Sequence, residues 1–345
     1  MTRFGHSVLL RTVATLLLAI YGGTANSQEV LVLSSTNEAI DWMKTENWWG
    51  EEKRGEQLKV PYAMITGISQ RWRAAAQKLP VSQKKEIFYR LMLPLIVHAN
   101  DMVMDRRAQL TNMQEQLDSG RQLSATDVKT LGQLAVVLRI IDSDTAASLG
   151  GNSEQLQQVI DQALYKLDVI PAGLVLGQAA YESGYGTSRF AAEGNALFGQ
   201  WTYGGKGLVP GQQRKNLGDH RIAAFDWPFD SVRGYYINLS SHPAYEDFRR
   251  LRADLKTAGK PLRSMALADG LIRYSERGQE YVDTLKGMIR VNNLGVADGA
   301  TFRDEPMRFI VGAEDATAAA ELRAEIESMR ESGEFAQIIA RMRLQ

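Results

Sequence analysis

One glutamate, Glu182, stands where a predicted helix gives way to a glycine-rich loop. Residues 171–180 contain an initial proline, an apolar Leu-Val-Leu run and several small residues, which together favour a closely packed helix. Gly184 and Gly186 follow, and the helix should end there because glycine adopts positive φ without steric cost. The carboxyl group of Glu182 is therefore predicted to lie at a helix-to-loop corner.

This position favours the protonated form of the Glu182 carboxyl group. The negative end of the helix dipole and the nearby rings of Tyr181 and Tyr185 both disfavour the carboxylate. A carboxyl group that keeps its proton can act as a general acid. A solvated helix end is the alternative, and the Glu-Ser-Gly triplet does not decide between the two.

The composition argues against several other kinds of chemistry. The 345 residues include no cysteine and four widely separated histidines, so neither thiolate chemistry nor a metal site of ordinary ligand spacing is expected. The 40 basic and 40 acidic side chains balance, which gives no reason to expect a nucleic-acid partner. We predict no metal and no organic cofactor, and a substrate recognised by shape and hydrogen bonds.

The amino-terminal residues are typical of a secretory signal. Arg3 and Arg11 precede an apolar run from Thr12 to Tyr21, and small residues that suit cleavage after Ala25 or Ser27 follow. The run is short for a transmembrane helix, although an uncleaved anchor is the alternative. We expect a periplasmic protein with no stable membrane span after cleavage.

Helical periodicity and turn residues divide the remaining chain. A long helix is predicted from Ser82 to Leu117, which Pro94 should kink or divide. Gly150-Gly151 marks the clearest internal boundary. We predict a signal peptide, a helical amino-terminal region, a domain that mixes helices and strands, and a helical tail. Their limits are 1–27, 28–150, 151–296 and 297–345.

The third of these segments contains a predicted antiparallel hairpin. Side chains from Leu197 to Tyr203 can alternate along a strand, and Arg221 to Phe225 forms a second extended run after a polar loop. The helix that follows is predicted to be capped at Asp230-Ser231. The hairpin should therefore lie beside helices.

A series of ordered motifs runs through residues 154–294. They are Gln178–Ala191, Gly194–Trp201, Phe225-Asp226, Val232–Tyr235, Asn238-Leu239, His242–Tyr245 and Arg273–Gly278 with Tyr281. This series resembles the FlgJ-type endo-β-N-acetylglucosaminidases. Two further matches, 93–100 and 105–107, resemble the amino-terminal helices of the Bax-like subgroup of Gram-negative bacteria. The resemblance implies an α+β, lysozyme-like fold, mostly helical with a small antiparallel β-hairpin lobe, preceded by a helical amino-terminal region.

The resemblance also implies a function. Enzymes of this family cleave the β-1,4 glycosidic bond after N-acetylglucosamine, so the implied partners are the glycan strands of peptidoglycan. The family's general acid matches Glu182, in agreement with the predicted corner. Tyr274 matches a tyrosine near the family's active site, where its phenol can hydrogen-bond the sugar, and a core tyrosine is the alternative.

Aromatic side chains near these motifs offer flat faces for pyranose rings. The predicted sugar contacts are Tyr185, Trp201, Tyr203 and Tyr235. Phe198 is expected to lie in the core instead.

The chain departs from the family pattern in the hairpin lobe, where many members carry a second glutamate. Between Gly194 and Glu246 there is no glutamate, and Asp219 and Asp226 are the two aspartates considered in its place. Asp219 is the candidate base if its loop folds inward, and a turn aspartate otherwise. Asp226 is better explained by the approach to a helix.

Three chemical schemes therefore stay open at this point. A second carboxylate or the substrate's own N-acetyl oxygen can assist the acid, or Glu182 can serve first as acid and then as base, as in single-glutamate lytic transglycosylases. A lytic transglycosylase and a catalytically weak wall-binding or scaffold protein are the alternative functions. The sequence does not identify the glycan length, the need for stem peptides, the oligomeric state or a protein partner.

Overall fold

The computed structural model describes residues 29–49, 57–150, 152–202, 207–209 and 221–332. Helices predominate in these ranges, which confirms the predicted α+β, mostly helical class. The α-helices are α1 (Thr36–Thr45), α2 (Gln70–Ala76), α3 (Val81–Asp118), α4 (Ala125–Val137), α5 (Ser143–Ala147), α6 (Ser153–Lys166), α7 (Ala172–Ser183), α8 (Arg189–Gly194), α9 (Pro228–Ser241), α10 (Glu246–Thr257), α11 (Ser264–Leu267), α12 (Gln279–Val291) and α13 (Ala316–Glu331). The strands are β1 (Glu29–Leu33), β2 (Lys59–Val60), β3 (Ala63–Ile65), β4 (Trp201–Thr202), β5 (Gly207–Leu208), β6 (Arg221–Ala223), β7 (Thr301–Phe302) and β8 (Arg308–Gly312). Short 3₁₀ segments lie at Pro243–Tyr245, Ala268–Tyr274 and Leu294–Ala297.

The chain folds into two compact units, each built from separated segments. The first contains the described parts of Met1–Leu95, Ala179–Val232 and Ala300–Gln345, and the second contains those of Ile96–Gln178 and Arg233–Gly299. These units are spatial groupings, and the domain limits predicted from the sequence stay predictions. The predicted signal peptide lies outside the described residues.

A three-stranded parallel sheet of order β1-β8-β3 forms one part of the first unit. Leu31 pairs with Ile310, and Ile65 pairs with Ile310 from the other side. The segments predicted as a helical amino-terminal region and a helical tail thus also contribute the strands of this sheet. The runs that form β1 and β8 are apolar and short, and they become a sheet through pairing with residues far away in the sequence.

The described part of the predicted carboxyl-terminal helix covers this sheet. Leu322, Ile326 and Met329 of α13 are buried, as their spacing predicts. The Arg323 guanidinium donates to the Val32 carbonyl of β1 at 2.7 Å. The fourth predicted apolar position, Ile338, lies outside the described residues.

A small antiparallel sheet of order β4-β6-β5 forms another part of the first unit. Trp201 pairs with Ile222, so the predicted hairpin is confirmed, and β5 joins it as a third strand. At Gly207 a Cβ would lie 2.8 Å from side-chain atoms of Thr202 and Arg221. A glycine is therefore required where these strands approach each other.

Helix α3 continues through Pro94, so this proline does not divide the helix, and the alternative that it kinks the helix stays a prediction. Leu93 and Leu95, on either side of the proline, are buried. Tertiary packing therefore compensates for the backbone hydrogen bond that proline removes.

The core of the second unit lies between the carboxyl-terminal part of α3 and helices α4 and α6. Buried members of this core include Leu110, Leu131, Ala135 and Ile160. The Arg252 guanidinium of α10 is also buried and donates to the carbonyl oxygens of Tyr165, Lys166 and Asp168. This arginine fastens α10 to the end of α6.

Candidate active site

Helix α7 ends one residue beyond Glu182, as the sequence predicts. Its last residue is Ser183, and the backbone then takes positive φ at three successive positions. The angles are +59° at Gly184, +60° at Tyr185 and +73° at Gly186. The side chain of Glu182 is half-buried at this corner. The helix-to-loop corner is therefore confirmed, whereas the protonated state of Glu182 stays a prediction.

Ser183 fixes the backbone immediately after Glu182. Its side chain is fully buried, and the hydroxyl donates to the Ala179 carbonyl at 2.5 Å and accepts the Gly186 N–H at 2.8 Å. The Ser183 carbonyl also accepts the Ser188 N–H at 2.9 Å. These three hydrogen bonds hold the turn in one conformation, so Glu182 projects from a rigid base.

Tyr185 is tied to its surroundings through both its backbone and its ring. The Trp72 indole donates to the Tyr185 carbonyl at 3.0 Å. Edge-on contacts join the Tyr185 ring to Phe88 and Tyr89, with centroid separations of 5.8 and 5.9 Å. Two ammonium groups, those of Lys84 and Lys85, lie 5.5 and 5.7 Å from the same ring centroid. The ring remains half-buried, and its contact with a sugar stays a prediction.

Asn195 joins three separate segments of the first unit. It adopts a φ of +51°, and its side-chain oxygen accepts the Ile68 N–H at 2.9 Å. Its amide nitrogen donates to the carbonyl oxygens of Phe225 and Asp226, each at 3.1 Å. At the preceding residue, Gly194, a Cβ would lie 3.0 Å from side-chain atoms near the small sheet. The Gly-Asn pair of the motif thus has a packing role that sequence reasoning missed.

Ser231 positions the segment that leads to Trp201. Its buried hydroxyl accepts the Leu197 N–H at 3.0 Å and donates to the Gln200 side-chain oxygen at 3.1 Å. Helix α9 begins at Pro228, so the predicted cap at Asp230-Ser231 is wrong. Ser231 instead lies within the first turns and is satisfied by a neighbouring loop.

Trp201 presents a large exposed aromatic surface, with 47% of its area accessible at the start of β4. Its contact with a sugar stays a prediction that this exposure favours. Phe198 is buried, which confirms its predicted place in the core. Asp226 is exposed, while Tyr203 and Asp219 lie outside the described residues.

A cluster of tyrosines surrounds Tyr274 in the second unit. The ring of Tyr274 stacks on Tyr281, with centroids 5.5 Å apart, and its centroid lies 6.4 Å from that of Tyr235 and 5.8 Å from that of Tyr245. Gln178 is fully buried, accepts a hydrogen bond from the Tyr235 hydroxyl and donates to the Tyr281 hydroxyl at 2.9 Å. One amide therefore orders two of the rings around Tyr274.

This cluster corrects one of the predicted sugar contacts. Tyr235 has no exposed surface, so its ring has no face on which a pyranose can stack. The prediction was wrong because tyrosine is common both in sugar clefts and in cores, and a hydrogen bond to Gln178 satisfies its hydroxyl in the core. Tyr274 is half-buried, and its catalytic role stays a prediction.

The sequence analysis did not identify Gln178, the residue of this cluster that orders two of its rings. The available signal is its place as a polar side chain within an apolar helix, one turn before Glu182.

Within the described ranges, no group of three or more histidine, aspartate or glutamate side chains is placed to hold a metal ion.

A comparison with protein families matches the part of the chain that contains this site. Residues 157–294 match the Glucosaminidase family model, described as mannosyl-glycoprotein endo-beta-N-acetylglucosaminidase. The chain is 29% identical over 215 residues to Protein bax of Escherichia coli strain K12, and the alignment covers 62% of this chain and 72% of that protein. No solved structure gives a significant match. The matched range contains α7 and the corner at Glu182.

Proposed function

Because residues 157–294 form a glucosaminidase domain of the FlgJ type with a Bax-like relative, we propose that this protein hydrolyses peptidoglycan in the periplasm. The proposed reaction is cleavage of the β-1,4 bond after N-acetylglucosamine, with Glu182 as general acid. The domain is lysozyme-like and combines helices with the small antiparallel sheet. The observation that carries the proposal is the rigid corner from which Glu182 projects.

Two properties of this corner support the role of Glu182. The carboxyl group lies on the last turn of α7, where the helix dipole disfavours a negative charge and so favours the proton-bearing form. The buried Ser183 hydroxyl and the turn that follows limit backbone motion, so little ordering is needed to place the acid against a substrate. A proton donor at a fixed position is what cleavage of a glycosidic bond requires.

In the proposed step, the Glu182 carboxyl group transfers its proton to the glycosidic oxygen as the bond to the anomeric carbon breaks. The positive charge that develops at that carbon needs a second group. We propose Asp219 as the protein group to test first, with the N-acetyl oxygen of the substrate and the Glu182 carboxylate itself as the competing candidates. Asp219→Asn should abolish activity in the first case and leave most of it in the other two.

Product analysis on purified sacculi tests the proposed bond and the proposed acid. The mature protein should release fragments that carry reducing N-acetylglucosamine, which borohydride converts to the alditol before mass spectrometry. Glu182→Gln keeps the size of the side chain but removes the acidic proton, and we expect a loss of about 10²- to 10⁴-fold in rate. Glu193→Gln is the matched control, because Glu193 is exposed on α8 and pairs with Arg189 at 3.1 Å.

Three results would contradict the proposal in different ways. Equal product from Glu182→Gln and the wild type would exclude Glu182 as the acid. Fragments ending in 1,6-anhydro-N-acetylmuramic acid would identify a lytic transglycosylase. Sedimentation with sacculi without cleavage at any pH tested would favour a wall-binding or scaffold protein.

The proposed periplasmic location has a separate test. No helix in the described part of the chain is long and apolar enough to cross a membrane. Amino-terminal sequencing of the protein from a periplasmic fraction should begin at Asn26 or Gln28, as the predicted cleavage sites require. Recovery of the chain with its original amino terminus in the membrane fraction would indicate an uncleaved anchor instead.

A further inference from the structure

A cavity of about 100 Å³ lies at the carboxyl ends of the parallel strands in the first unit. Leu33 of β1, Ile65 of β3 and Ile310 of β8 line it, and Phe88 of α3 contributes a further apolar wall. In sheets of this kind, ligands bind in the crevice outside the carboxyl ends of the strands. The position of the cavity therefore resembles that of a binding site.

One charged side chain, Arg71 of α2, also lines this cavity. Its Nη2 donates to the Leu33 carbonyl at 3.3 Å. Its Nη1 is buried and has no hydrogen-bond partner among the described residues. A buried guanidinium N–H without an acceptor is unfavourable, so a ligand that supplies an acceptor would be stabilised here.

The carboxylates near Arg71 do not accept a hydrogen bond from its Nη1. Glu38 and Glu314 are the carboxylates whose fields act on the guanidinium, and both oppose the lowering of its pKa by burial. Glu38 is already engaged, because its two oxygens accept the Ser34 N–H and hydroxyl at 2.7 and 2.6 Å. Glu314 is exposed to solvent.

The other polar part of the wall is the amino-terminal end of α1, a helix of 10 residues, where Ser35 and Thr36 line the cavity. This end of a helix dipole is positive and adds to the effect of the guanidinium. The cavity thus combines an apolar interior with a positively charged wall. Small molecules with an apolar body and a negatively charged end match that combination.

We propose that this cavity binds a small carboxylate with a short apolar body, whose carboxylate accepts a hydrogen bond from Arg71 Nη1. A volume of about 100 Å³ limits the buried part to roughly four to six non-hydrogen atoms, since about 150 Å³ holds benzene. A free short-chain acid and the carboxyl-terminal alanine of a peptide both have this chemistry. The proposal does not depend on Glu182 being a catalyst.

A ligand in this cavity would lie next to the corner that carries Glu182. Trp72 and Gly186 both line the cavity. Trp72 donates to the Tyr185 carbonyl, and Gly186 is the last of the three residues with positive φ. The ligand would therefore contact the groups that hold this turn in the first unit.

Binding to the full-length mature protein tests the proposal with defined probes. Propionate and the dipeptide D-alanyl-D-alanine are titrated separately, with binding followed by saturation-transfer NMR and by the rise in Tm. Propionamide, which has the same shape as propionate without the charge, is the control ligand. We expect saturable binding of at least one carboxylate and none of propionamide.

Substitutions on α2 then test the role of the arginine. Arg71→Met removes the guanidinium but keeps an apolar chain, and affinity should fall at least tenfold, as expected for loss of a charged hydrogen bond. Arg71→Lys should retain part of the affinity and is the milder variant if Arg71→Met is unstable. Arg73→Met, on the same helix but outside the cavity wall, should bind like the wild type.

Two results would overturn this inference. One is the absence of saturable binding of either carboxylate to the wild type, and the other is equal affinity in Arg71→Met and the wild type. If the dipeptide binds at least tenfold more tightly than propionate, the occupant is a peptide terminus. Equal affinities identify a free acid. Because Glu182→Gln should bind these probes normally, a failure of the catalytic proposal can be told apart from a failure of this one.

Discussion

Burial of a histidine should make the stability of the second unit depend on pH. His98 lies on α3 with no exposed surface. Burial lowers its pKa from the usual 6.5 to about 4, and the nearby Asp105 offsets this only in part. In the unfolded chain the same imidazole binds a proton near pH 6.5. Acid therefore favours the unfolded chain, because only there is His98 free to become charged.

The size and pH window of the effect follow from these two pKa values. The neutral histidine contributes its full stabilisation above pH 6.5, and that contribution is lost as the pH falls towards about 4. One unit of pKa shift corresponds to about 1.36 kcal/mol. Between pH 7.5 and pH 5, the free energy of unfolding should thus fall by about 2 kcal/mol through this residue.

Urea unfolding of the wild type and of His98→Leu separates this effect from other titrations. Leucine fills a similar volume and does not titrate, so the difference between the two proteins should change by about 2 kcal/mol from pH 7.5 to pH 5. An NMR titration of the folded wild type checks the pKa directly. Parallel stability curves for the two proteins, or a folded pKa near 6.5, would refute the reasoning.

Three further substitutions test packing and substrate contact. Gly173→Ala would place a Cβ 2.3 Å from the Leu294 carbonyl oxygen, so urea unfolding should show a loss of about 3 kcal/mol. Gly287→Ala, where no atom lies within 4 Å, is its control and should be neutral or stabilising, and equal losses would contradict the clash. Gln178→Leu leaves two buried tyrosine hydroxyls without their amide partner and should cost about 2–4 kcal/mol, which an unchanged urea midpoint would disprove. Trp201→Ala should raise KM for glycan strands about tenfold with little change in kcat, and an unchanged KM would remove it from the substrate site.

The features that the sequence predicts well are local ones. The end of α7 follows from glycines that lie within four residues of Glu182, and the helical face of α13 follows from a spacing of about 3.6 residues. Each depends on interactions between close neighbours in the chain. Short stretches of the sequence therefore contain the information that determines these features.

The parallel sheet is different because its strands are distant in sequence. Val30–Leu33 and Phe309–Val311 are short apolar runs, typical of buried parallel strands, yet a run of this length does not identify its partner. Pairing places Phe309–Val311 between Val30–Leu33 and Ala63–Ile65, and only then does a cavity appear at the carboxyl ends of the three strands. The proposed carboxylate site could not be predicted for this reason.

The burial of individual aromatic residues could not be predicted from the sequence either. Tyr235 and Trp201 both lie in the range that matches the Glucosaminidase family model, but the first is fully buried and 47% of the second is exposed. The difference depends on what packs against each ring. Gln178, more than 50 residues earlier in the chain, accepts a hydrogen bond from the Tyr235 hydroxyl. This hydrogen bond offsets the cost of burying the hydroxyl.

Folding alone explains part of the motif around Glu182. Ser183 is required by its two hydrogen bonds, and Gly184 and Gly186 by their positive φ, so folding explains these three residues without reference to chemistry. A related protein that has these three residues is therefore expected to have the same corner. The corner is held by backbone hydrogen bonds, by the Ser183 and Thr187 hydroxyls and by the Trp72 indole, and Glu182→Gln changes none of these groups. For this reason we expect Glu182→Gln to keep the corner, so that a difference in bond cleavage reports the loss of the acidic proton.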